Sequence, residues 1–178
     1  ERKDARVPGF GMRLHKFIFP LFQNSAPDQA RLVRAACLLH DVSWRAHPDF
    51  RADMCFEYAT RANLGGLSHK ERVFLGLALL HRYRNKRDGT RFDKLFSLLN
   101  GDGQKDAEVL GKAMRLGAML WANPDDETAK LNWSPKKKNL SLTLTAEASP
   151  LFGEVAELRL YTLAQALDAT VHVDMKLT

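Results

Sequence analysis

Residues 28–44 constrain this chain more than any other stretch. Leu32, Val33, Ala36, Cys37, Leu39 and His40 recur at helical spacings of three and four, and Ala35, Leu38 and Val42 widen the stripe around most of the girth. A helix apolar on most sides belongs at the centre of a core, so other helices must surround it. The pattern predicts a helix from Asp28 to Trp44. Pro27 suits its first turn, and Pro48 breaks the chain beyond it.

The neighbouring segments supply those helices. Phe10, Leu14, Phe17, Ile18 and Leu21 place one over 10–22, kinked or ended by Pro20. A shorter helix is expected over 50–61, ended at Asn63-Leu-Gly-Gly66. Ser68 with Glu71 is a capping box that opens a helix running to about Arg84. Residues 91–99 predict a short helix and 100–103 a loop. A long helix follows over 104–121, with Ala107, Leu110, Met114, Gly117 and Trp121 on one stripe.

After Pro124 the period changes. Leu140, Leu142 and Leu144 alternate with polar residues, as do Val171, Val173, Met175 and Leu177, so both stretches read as strands. Residues 128–133 can pair with the first through Ser134-Pro-Lys-Lys-Lys138, and 151–167 is helical. The expected fold class is mainly α (α+β): a helical bundle over 1–124 and a small β-β-α-β subdomain over 125–178. The chain is 178 residues long and 45% hydrophobic, enough to bury a core unaided. Glu1 opens it with no initiator Met, so a fragment of a longer protein is expected.

A net charge of +6 favours anionic partners or serves only solubility. Cys37 and Cys55 lie in apolar helical surroundings without CxxC spacing, which predicts buried free thiols in a cytoplasmic protein. No apolar run reaches the ~20 residues of a membrane span, so no membrane partner is expected.

His40-Asp41 is the sharpest chemical feature. Imidazole and carboxylate together suit a divalent metal. A complete site of that kind needs a further His from an earlier helix and an Asp from a later one. His15 is too near in sequence for the first, and Gly117 stands at the second position. The competing reading is a core His40 bonded to a backbone carbonyl, with Asp41 pairing locally. His81-Arg-Tyr-Arg-Asn-Lys-Arg87 is the second feature. Its cations can grip phosphate oxygens or offset a helix dipole, and Arg91 and Lys94 extend it. Lys136-Lys-Lys138 in a hairpin turn, and His47 and His69 near turns, read first as surface residues. There is no GxxxxGK[ST], GxGxxG or GxSxG, and no Ser/His/Asp or Cys/His set.

Four segments, in this order, carry a resemblance. They are Arg34-Ala-Ala-Cys-Leu-Leu-His-Asp-Val-Ser-Trp44 with His47-Pro-Asp-Phe-Arg-Ala52, then Leu80-His-Arg-Tyr-Arg-Asn-Lys86, then Ala113-Met-Arg-Leu-Gly-Ala-Met-Leu120, then Leu140–Leu144 with the closing helix and strand. Together they resemble the C-terminal region of the Ppx/GppA family, the exopolyphosphatases and guanosine pentaphosphate phosphohydrolases. The resemblance covers nearly the whole chain. It implies an HD-like helical domain with a degenerate metal site at His40 and Asp41. It implies no catalytic residue and no cofactor in this chain, with catalysis (Mg-dependent in the parent enzyme) in N-terminal lobes. It assigns polyanion contacts to Arg82, Arg84, Lys86 and Arg87, with His47 in a lesser role. Polyphosphate or guanosine polyphosphate and a second copy of the chain are the implied partners, nucleic acid is not, and the setting is cytoplasmic. Two other readings remain open: an independent HD-type metallophosphohydrolase, and an interaction scaffold.

Overall fold

The computed structural model describes residues 6–86, 89–121 and 128–175. Helix α1 (Phe10–Phe22) buries Phe10, Leu14, Phe17, Ile18 and Phe22, and it runs through Pro20 to its end. Helix α2 (Pro27–Leu38) starts on Pro27, with Asp28 in the first turn, where an acid complements the helix dipole.

α2 stops six residues before the expected Trp44. Leu39 leaves helical geometry (φ −99°, ψ 4°), and residues 39–45 form successive turns. His40 Nδ1 donates to the Cys37 carbonyl at 2.8 Å, so the side chain adds a shorter bond to a carbonyl that the backbone N–H of His40 reaches only at 3.5 Å. The apolar spacing persists past the helix because the turns keep Val42 half-buried and His40 buried.

A 3₁₀ turn (Pro48–Phe50) leads into α3 (Arg51–Arg61). The capping box opens α4 (His69–Tyr83): Ser68 N–H donates to Glu71 Oε2 at 2.7 Å, and Glu71 N–H donates to Ser68 Oγ at 3.3 Å. Every residue of α4 from Val73 to Arg82 is buried, so α4 takes the central position expected of the preceding apolar helix. After the short α5 (Asp93–Phe96), α6 spans Gly101–Gly117. Its first turn is the stretch expected as a loop. Asn100 Oδ1 accepts from Gly103 N–H at 2.9 Å, and that N-cap outweighs the poor helix propensity of two glycines.

Glycines set the closest helix crossings. A Cβ on Gly111 would lie 2.3 Å from His81 Cβ and 2.5 Å from the Ala78 carbonyl, so α4 and α6 meet backbone to backbone there. A Cβ on Gly117 would meet Leu14 Cδ1 and Phe17 Cδ1 of α1.

The last part is the expected β-β-α-β unit. β1 (Ala129–Ser134) pairs antiparallel with β2 (Asn139–Leu144), in a register that sets Leu131 opposite Leu142. α7 (Glu154–Leu167) then crosses over to β3 (Thr170–Met175), which pairs parallel to β2. Leu131, Leu140, Leu142 and Leu144 are fully buried, and α1 packs on β1 while α7 packs on α6. One continuous core therefore includes residues of the bundle and of the sheet. The boundary expected near 124 lies outside the described residues. Among the described residues no helix is long and apolar enough to cross a membrane.

Candidate functional site

Asp41 is the centre of a buried polar system. It lies in the turns after α2, facing the C-terminal end of α4, and is 7% exposed. Tyr83 donates its hydroxyl to Asp41 Oδ1 at 3.1 Å and sits 3.2 Å from the His40 carbonyl. Arg82 Nη2 lies 3.4 Å from the same Oδ1, and Arg6 Nε lies 3.5 Å from Oδ2. His40 Nε2 approaches Oδ2 at 3.5 Å, and the His40 ring packs edge-on against Phe10. Next to this cluster, Ser43 Oγ donates to the Arg51 carbonyl at 3.0 Å and receives the Cys55 thiol at 2.9 Å. Burial pushes the Cys55 thiol up to about 11 and raises Cys37 and Tyr83 further.

These surroundings fit a divalent cation poorly. Both Asp41 oxygens already face guanidinium groups, and a second positive ion there would meet Arg82 and Arg6 at the same carboxylate. His15 stands on α1 with its ring against Phe19, and burial followed by repulsion from Arg34 holds its imidazole below the ordinary 6.5. The α1 ring that meets His40 is Phe10. No carboxylate fits at Gly117 either, because even a Cβ would lie 2.6 Å from Leu14 Cδ1. Among the described residues no group of three or more His, Cys, Asp or Glu is placed to hold a metal.

The basic run divides in two. Arg82 points inward and is 8% exposed, whereas Arg84 and Lys86 stand in solvent beyond the end of α4. Arg84 lies 4.0 Å from Asp53, an exposed and weak pairing. Arg87 lies outside the described residues. Arg91 pairs with Glu57 at 2.9 Å, and Lys94 is exposed. His47 is exposed, accepts from Asp49 N–H at 3.4 Å, and lines a shallow pocket with Phe50, Met54 and Arg91. Lys136 and Lys137 are exposed, and Lys138, in left-handed conformation, pairs with Asp168.

Two functional candidates escaped the sequence reading. Arg115, in the last turn of α6, and Arg159, on α7, are both half-buried, and the charge of Arg82 acts on both. Arg159 Nη1 donates to the Arg115 carbonyl at 2.9 Å. Burial first, then Arg115 and Arg82, hold Arg159 down to about 10. Burial and Arg82 likewise lower Arg115. Both arginines sit alone among apolar neighbours in the sequence, so no local signal marks them.

A family model described as "Exopolyphosphatase, C-terminal" matches residues 18–172. No curated protein matches the chain.

Proposed function

The chain belongs to the exopolyphosphatase C-terminal family, and from that premise we propose that it is the accessory phosphate-chain-binding domain of an exopolyphosphatase-like phosphohydrolase. Catalysis resides in N-terminal lobes of the parent protein. This domain holds polyphosphate or guanosine polyphosphate and supports a homodimer.

The observation that carries the reading is the division of the α4 basic run. Arg82 is taken up by Asp41 inside, while Arg84 and Lys86 remain in solvent just beyond the helix end, where an extended polyanion can reach them. His40-Asp41 is spent on holding the chain after α2 against α4, which favours an architectural role for the pair over a catalytic one. For the dimer, Val155, Leu158 and Tyr161 are exposed at spacings of three along α7, an apolar strip available to a second copy.

Titration with long-chain polyphosphate at increasing salt tests the proposal. Affinity should fall steeply with salt, because each phosphate contact releases counterions as it does on nucleic acid. Arg84→Ala with Lys86→Ala should weaken binding and flatten that salt dependence. Undiminished affinity of this double variant at low salt overturns the assignment of the contacts.

A further inference from the structure

We infer that Arg115 and Arg159, backed by Arg82, form a second and more enclosed phosphate site, which takes one phosphate group of a polyphosphate or of a guanosine polyphosphate. The inference rests on the polyanion reading above but concerns different residues on different helices.

Charge is the first ground. Among the described residues Arg6 and Arg82 lie at one carboxylate, Asp41, and the charge of Arg82 acts in turn on Arg115 and Arg159. Asp41 serves Arg6 and Arg82. Among the described residues no carboxylate pairs with Arg115 or Arg159. Guanidinium does not shed its proton in a protein, and half-burial leaves the charge of Arg115 and Arg159 only partly screened by solvent, so a bound anion would offset it. The burial and mutual repulsion that lower Arg159 and Arg115 report the same uncompensated charge.

Geometry is the second ground. Arg82 Nε is fully buried without a hydrogen-bond partner among the described residues, although its Nη2 reaches Asp41. Arg159 is held by one N–H on the Arg115 carbonyl, which places its guanidinium beside Arg115 and leaves its other donors for a ligand. The arginines come from the C-terminal turns of α4 and α6 and from the middle of α7. Helix C-termini do favour cations, which accounts for part of the placement of Arg82 and Arg115. It does not account for Arg159, which lies well inside α7. Arginines drawn from three packed helices supply forked donors of the kind that match the tetrahedral oxygens of a phosphate group.

The test uses the whole chain with three probes: inorganic phosphate, tripolyphosphate and long-chain polyphosphate, each followed by calorimetry and by thermal shift in phosphate-free buffer. Arg115→Gln and Arg159→Gln should each bind tripolyphosphate about tenfold or more weakly than the parent chain. The melting point of Arg115→Gln without ligand should be equal or higher, because the change removes a cation that has no carboxylate partner among the described residues. Weaker inorganic phosphate binding in the same variants assigns the site to any phosphate group, and an effect confined to tripolyphosphate assigns it to the chain form. If both variants bind tripolyphosphate like the parent while Arg84→Ala with Lys86→Ala does not, the surface reading stands and the enclosed site is rejected. If the parent binds none of the three probes, both readings fall. If Arg159→Gln melts early for want of its bond to α6, Arg115→Gln decides alone, because its side chain holds no such bond.

Discussion

A Cβ on Gly117 would lie 2.6 Å from Leu14 Cδ1, so α6 can cross α1 at this depth only with no side chain at that position. The residue missing from a metal constellation is therefore the residue that lets the N-terminal helix dock. Gly117→Ala should destabilise the chain by about 1–3 kcal/mol, the usual cost of overpacking a filled core. Urea denaturation at unchanged m-value measures it. Gly111→Ala should cost more, because the nearest obstacles include the Ala78 carbonyl, which is backbone and cannot rotate aside.

Asp41 holds Arg82 inside the fold. Asp41→Ala should destabilise by about 3–5 kcal/mol, since it strands a buried cation. Adding Arg82→Met removes that stranded charge and should restore much of the loss. A double variant no more stable than Asp41→Ala alone rejects the pairing as the origin of the effect.

The lowered pKa of His15 makes stability depend on pH. Folding favours the neutral imidazole, so the unfolded chain takes up more protons below the ordinary value of 6.5. The contribution is fully present above pH 6.5 and is lost as pH falls through the lower folded value. In His15→Gln the acid side of the stability curve should be flatter across that window. Parallel curves for the two proteins would falsify the assignment.

Both thiols should be inert in the native protein. Cys37 and Cys55 are fully buried, and their raised pKa leaves almost no thiolate near neutrality. Labelling with an aromatic disulfide should follow the rate of unfolding, and both cysteines should react at once in denaturant. Fast native labelling at Cys55 would show that the contact with Ser43 opens readily.

Where local chemistry decides structure, the sequence is legible. The Ser68–Glu71 box marks the start of α4, and the leucine alternation over 140–144 marks the strand at the middle of the sheet. Apolar period alone is a poorer guide to ends. It carries past Leu38 because turns can bury the same residues as a helix, and it says nothing of the cap that Asn100 supplies. The site is legible only in part. His40, Asp41 and Arg82 come from motifs that stand out along the chain. Their joining into one ion-paired system, with Tyr83 as hydrogen-bond donor, depends on how α4 crosses the turns after α2. Arg115 and Arg159 are 44 residues apart and meet only because α7 lies on α6. No spacing rule within one helix can find such a pair.

α1 lies against both α6 and β1, so the earliest helix in the chain is a keystone between the bundle and the sheet. Opening either part alone would cost α1 one of its two seats. Amide hydrogens in the β1–β2 ladder and in the middle of α4 should then exchange through one common opening, at the free energy of global unfolding. Removing the segment through Phe22 should loosen the three-stranded sheet, although more than a hundred residues separate the two in the chain.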